Sequence, residues 1–211
     1  MAHDPGGKVR IPLPAAMAGG AFFCGADGGE GDTHRPMLWR KWGGAHQVLE
    51  AVRDAREGKP VDAAAVPWSA EEWVLFIGMN PSTADAAVDD PTVKREVGFT
   101  QRMGFCHYRK ANVMDYRATS PKALLAPGVE ACSAINHRII VVNAGLAARV
   151  VLAFGALPPA LRFYYAEPLV RELSALGIPL YCLGTTRDGS PRHPLYLASS
   201  AELQPWKGWN P

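Results

Sequence analysis

A chain of 211 residues, 48% of them hydrophobic and 20% charged, is long enough to bury one substantial core and has the composition of an ordinary globular protein. The 22 Lys and Arg against 20 Asp and Glu leave a net charge of +2, which excludes a global electrostatic footprint for nucleic acid. No apolar run approaches the roughly 18 residues of a membrane span, and the start MAHDPGGKVR lacks the apolar core of a signal peptide, so a cytoplasmic protein is expected.

Residues 1–20, rich in Gly, Pro and Ala, read as a poorly ordered lead-in to a single α/β domain over 21–211. Ala21–Cys24 and Met37–Trp42 flank a Gly/Asp-rich turn and predict an N-terminal β-hairpin or a pair of edge strands; that loop lacks the closing Lys-Ser/Thr of a phosphate-binding loop. Val48, Leu49, Val52 and Ala55 share a helical face over 45–57, ended by Gly58 and Pro60. The apolar run Trp73–Met79 predicts a strand buried on both faces.

A strand–helix alternation follows. Asp90 is a predicted N-cap with Pro91 at the first helical position; Val93, Val97, Thr100 and Met103 share a face, and Gly104 is the stop. Lys110–Asp115 reads as a second strand, 127–145 as a helix, Arg149–Gly155 as a third strand, Glu167–Leu176 as a helix stopped by Gly177, and Pro179–Gly184 as a fourth strand. Repeated β-α-β units imply a mainly parallel sheet with helices on both faces.

Ligands of such a sheet collect outside the carboxyl ends of its strands. The loops there carry Asn80-Pro81-Ser82-Thr83-Ala-Asp85, then Asp115-Tyr116-Arg117, Gly155, and the stretch through Arg192-His193. Asn80-Pro81 is equally a helix start, with Asn as cap, but Gly78, Asn80, Pro81, Ser82 and Thr83 together place a close-approach backbone, a carboxamide and two hydroxyls at one strand end, a set suited to a small polar ligand. Capping and solvation account for Asp85, Asp89 and Asp90 without magnesium, His34, His46, His107 and His137 are dispersed, and neither a metal nor another cofactor is expected. Cys24, Cys106, Cys132 and Cys182 stand far apart with no C-x-x-C pair and read as free thiols. Two segments, Arg35–Trp42 and His107–Lys110, interleave cations with aromatics, as a nucleic-acid face or as solvated strand ends.

Together the series Arg35…Leu38-Trp39-Arg40-x-Trp42, Gly78-Met79-Asn80-Pro-Ser-Thr-Ala-Asp85, Asp89-Asp-Pro-Thr92, Asn112…Arg117-Ala-Thr and Tyr181-Cys-Leu-Gly…Asp188-Gly-x-Pro-Arg192-His193-Pro-Leu-Tyr resembles the bacterial and phage domain-of-unknown-function family 1643. More distantly, Gly78-Met79-Asn80-Pro81-Ser82 is similar to the water-positioning motif of the mismatch-specific branch of the uracil-DNA glycosylase superfamily, and His193-Pro194-Leu195-Tyr196 resembles its second motif. The likeness implies a three-layer α/β/α fold with a four-stranded parallel central sheet and a base-sized pocket at the strand ends. It implies that Asn80 orients a water and His193 hydrogen-bonds to the departing base, with Gly78, Met79, Pro81, Ser82, Thr83, Asp85, Asn112, Tyr116, Arg117, Gly155 and Arg192 around the substrate and Tyr116 or Phe105 stacking on the base. The expected function is thus a glycosylase-like hydrolase or transferase whose partner is a nucleobase, a nucleotide or single-stranded nucleic acid. A non-catalytic nucleotide-binding module and a small-metabolite enzyme are the alternatives.

Overall fold

The computed structural model describes residues 9–43, 58–59 and 72–210; the helix read over 45–57 lies outside them. Seven strands form one mixed sheet in the order β2-β3-β6-β4-β7-β8-β9: β2 (Met17–Cys24), β3 (His34–Trp42), β4 (Val74–Gly78), β6 (His107–Asn112), β7 (Arg149–Leu152), β8 (Leu180–Cys182) and β9 (Gln204–Pro205). Its centre is the expected parallel quartet, β6-β4-β7-β8, and antiparallel strands extend it on both sides. The N-terminal hairpin is β2 and β3, antiparallel, with Gly20 opposite Trp39. Residues read as a lead-in carry β1 (Ile11–Pro12), which pairs antiparallel with β5 (Val88–Asp89), and the first residues of β2.

Alternation along β4 sets the layers. Val74 and Phe76 face the core under helix α1 (Pro91–Arg102), with Val93, Val97 and Phe99. Leu75 and Ile77 face the opposite core, under α2 (Asn136–Leu146) and α4 (Glu167–Ala175), with Ile140, Leu169 and Leu173. A short α3 (Pro159–Leu161) and a π-helical turn, Arg162–Ala166, lead into α4. No helix among the described residues is long and apolar enough to cross a membrane.

The start of α1 is as the sequence predicts: Asp90 Oδ1 accepts from Val93 N at 2.9 Å and Pro91 follows. The helix read over 127–145 begins later, at Asn136, because buried Asp115 takes hydrogen bonds from Ser133 N at 2.7 Å and Ser133 Oγ at 2.5 Å and holds that segment as a loop. The second parallel strand is shifted to His107–Asn112.

That shift changes the meaning of the two cation-rich segments. Arg35, Arg40, His107 and Lys110 are all buried and serve the interior, whereas Lys41 and Arg109 are half-buried. Arg35 donates to the Ala84 carbonyl, and burial lowers its guanidinium to about 10 despite the opposing pull of Asp90. Arg40 donates from Nε to Asp89 Oδ1 at 2.8 Å and from its other nitrogens to the carbonyls of Trp39, Asp85 and Val88. It therefore pins the segment that delivers Asp90 to the start of α1. The guanidinium of Arg109 lies 3.8 Å from the Trp73 ring centroid and donates to Asn143 Oδ1. All four cysteines are free, three of them buried.

Candidate functional site

β4 sends its helix to one face of the sheet, whereas its neighbours β6 and β7 send theirs to the other, so the loops diverge around the carboxyl end of β4. A cleft of about 520 Å³ opens there, and every strand of the parallel quartet contributes to its lining. The segment from the end of β4 to the first turn of α1 supplies Met79, Asn80, Ser82, Asp90 and Thr92; β6 and its loop supply Lys110, Asn112, Ala118 and Thr119; Phe154, Gly155 and Ala156 follow β7, and Thr186, Arg192, His193 and Tyr196 follow β8.

The Asn80 side chain is oriented by its donors. Nδ2 gives hydrogen bonds to the Ala118 carbonyl at 2.7 Å and the Pro81 carbonyl at 3.1 Å, which leaves Oδ1 as an acceptor. Ala118 N returns a bond to Pro81 O at 2.9 Å, so the loops after β4 and β6 are stitched together behind the carboxamide. The chain does not enter a helix at Asn80; α1 starts at Pro91.

His193 stands at the end of a turn closed by hydrogen bonds: Thr186 N to Ser190 O, Ser190 Oγ to Asp188, and Arg192 N to Gly184 O. Leu195 N donates to His193 Nδ1 at 3.3 Å, so the proton of the neutral imidazole sits on Nε2. Burial, reinforced by the Lys110 ammonium and opposed by Asp90, holds this imidazole down at about 4. His193 is therefore a neutral donor at physiological pH. Gly155, at φ 73°, lets the chain after β7 turn against it: a side chain there would begin 3.4 Å from His193 Cβ.

The depressed imidazole has a consequence for stability. Its folded value of about 4 lies below the ordinary 6.5, so the unfolded chain takes up a proton first as the solution is acidified. Stability present above pH 6.5 is lost as the pH falls towards 4. Comparing urea unfolding of wild type and His193→Gln at pH 7 and pH 4.5 is expected to show wild type losing on the order of 1–2 kcal/mol more than the variant, with allowance for the ring's partial exposure.

At the base of the cleft, Asn112 is fully buried and neither Oδ1 nor Nδ2 has a partner. An orphaned carboxamide in such a place is costly unless a ligand completes it. Gly78 makes the room: a Cβ there would lie 2.7 Å from Asn112 Oδ1 and 2.8 Å from Lys110 Nζ. Two residues before Asn112 on β6, Lys110 Nζ donates to Glu96 Oε1 at 2.7 Å and Oε2 at 2.8 Å, and Tyr108 OH donates to Glu96 Oε2 at 2.5 Å. Burial pushes the Glu96 carboxyl up, against the pull of Lys110 and Tyr108, and burial beside Glu96 raises the Tyr108 phenol well above its ordinary value.

Of the sequence-derived residues, Met79, Asn80, Ser82, Asn112, Gly155, Arg192 and His193 line the cleft. Gly78 lies against its floor, while Pro81 and Thr83 are buried behind it. Asp85 instead organises its own turn, accepting from Ala87 N and Val88 N, and pairs with Arg10 at 2.6 Å. Tyr116 packs edge-on against His34, and Arg117 donates to Asp32 O and covers the Phe23 ring. Neither is a lining residue, and Phe105 packs against the α1-side core. The aromatic rings at the cleft are Phe154, fully buried, and Tyr196, 77% exposed. Asp90, Thr92 and Lys110 also line the cleft, although the sequence pointed to a cap, a motif position and a strand start and not to site residues. The available signal was Glu96, a carboxylate on the helix stripe with Val93, Val97 and Thr100, where a buried cation had to meet it.

Among the described residues, no group of three His, Cys, Asp or Glu side chains is placed to hold a metal ion. A family model described as "Protein of unknown function (DUF1643)" matches residues 65–195, more than half of the chain, and the chain belongs to that family. No curated protein and no solved structure gives a significant match.

Proposed function

We propose that this member of the family is a glycosylase-like hydrolase or transferase acting on a nucleobase, nucleotide or modified base, with a uracil-DNA glycosylase-like arrangement of strands and loops. The observation that carries the reading is the pairing in one cleft of an acceptor held by its own amide, Asn80 Oδ1, with a neutral Nε2–H donor, His193, around the unpartnered carboxamide of Asn112. In this reading Asn112 pairs with an –NH–CO– edge, which needs one donor and one acceptor, as a carboxamide offers. Asn80 orients a water towards the sugar carbon. The water oxygen bonds to that carbon, the C–N bond breaks with its electron pair passing to the base, and His193 Nε2–H donates to the developing charge. A carboxamide does not accept a proton at neutral pH; Asp90, the carboxylate among the lining residues, takes it.

Mass spectrometry of what wild type and an Asn80→Ala, His193→Ala double variant retain and convert from a pool of nucleosides, nucleotides and short oligonucleotides tests this. Release of a free base by wild type alone is the expected result. Retention without conversion, lost in the variant, makes the cleft a nucleotide-binding module, and identical behaviour of the two proteins refutes this assignment of the site.

A further inference from the structure

The buried Lys110–Glu96 pair is an expensive way to fill a core. Lys110 is 4% exposed and Glu96 not at all, and for such a pair desolvation offsets much of the attraction, so that apolar residues of the same volume serve stability as well or better. The pair nevertheless sits where β6 meets the cleft, and Gly78 is bare where any side chain would displace the ammonium. Its contacts with two Glu96 oxygens leave one of three N–H groups for the cleft. Asn112, with both amide atoms unpartnered, lies on the same face of β6 one pleat further along.

We propose that Lys110 is a further catalytic residue of this cleft: its free N–H stabilises the anion of the departing base, so the substrates are bases whose anion spreads onto ring carbonyl oxygens, pyrimidine-diones and oxopurines. The proposal rests on the base reading above. When the C–N bond breaks, the electron pair resides on the base nitrogen and is delocalised to a ring oxygen; the ammonium donates to that oxygen while Asn112 holds the neighbouring –NH–CO– edge. The base anion then takes a proton from solvent, and the sugar carbon keeps the water oxygen. Burial, reinforced by the same positive charge, keeps the His193 ring neutral, so the cation and the donor are two separate groups.

Removing Lys110 alone would strand a buried Glu96, so the test uses Lys110→Met with Glu96→Gln, in which Gln still accepts from Tyr108. The probes are uracil, neutral at pH 7, and barbiturate, a planar anion on the same ring frame that imitates the departing base. Calorimetry is expected to show wild type binding barbiturate about tenfold or more tighter than uracil, the worth of one charge-assisted hydrogen bond, and the double variant losing that preference. Equal affinities in wild type, or a preference that survives in the variant, overturn the role of Lys110 and leave the base reading intact. Binding of neither probe overturns both. As a second readout, His193 observed by NMR is expected to titrate above about 4 in the variant; an unmoved titration means that the ammonium does not face the cleft and also defeats the proposal.

Discussion

Arg40→Ala is expected to cost about 3–5 kcal/mol, the range for removing one partner of a buried ion pair. The guanidinium is fully buried, Asp89 is 2% exposed, and the substitution strands that carboxylate together with the carbonyls of Trp39, Asp85 and Val88. Urea unfolding at pH 7 measures the loss. Arg40→Met combined with Asp89→Asn is expected to recover a large part of it, because no uncompensated charge is left inside; if the double variant is as unstable as the single, the carbonyl contacts and not the ion pair dominate. The effect reaches the site as well, since Asp89 is followed by the residue that both caps α1 and lines the cleft.

Asn112→Leu is expected to act in the opposite sense on stability and on binding. The carboxamide is fully buried and unpartnered, so an apolar side chain of similar shape removes a desolvation cost and leaves the stability unchanged or raised, by about 1–2 kcal/mol at most. Affinity for a base or nucleotide is expected to fall about 100-fold, since Leu neither donates to nor accepts from an –NH–CO– edge, and a site built to hydrogen-bond discriminates strongly. Calorimetry paired with thermal unfolding reads both. A variant that is much less stable would show that Asn112 serves the fold; one that binds normally would remove it from the recognition of the ligand.

The parts of this molecule legible in the sequence are those in which local pattern and tertiary role agree. Trp73–Met79 is apolar throughout and forms a strand, Val74–Gly78, buried on both faces; Asp90, Pro91 and Gly104 bracket α1 by their own backbone chemistry. The register of β6 was hidden because His107, Tyr108, Arg109 and Lys110 have the composition of a solvated strand end. Their burial depends on distant partners: His107 between the Trp39 and Trp73 rings, Tyr108 and Lys110 on Glu96. The same holds at the cleft. Asn80 and His193 stand out in polar loops next to strand ends, whereas Lys110 and Phe154 belong to runs that read as ordinary strand, and only the order of strands across the sheet brings them together. Tyr116 and Arg117 show the converse, loop residues with suitable chemistry that the bridge between His34 and Tyr116 turns towards the hairpin.

Trp209 stacks behind Phe154 with ring centroids 6.2 Å apart, donates from Nε1 to Ser190 Oγ, and carries the Arg162 guanidinium 4.5 Å over its ring. Phe154 forms part of the cleft wall and Ser190 belongs to the turn that carries His193, so this indole touches two elements of the cleft without lining it. One of the chain's six indole chromophores thus lies against both the cleft wall and the turn that carries His193, placed as an optical gauge of any change there.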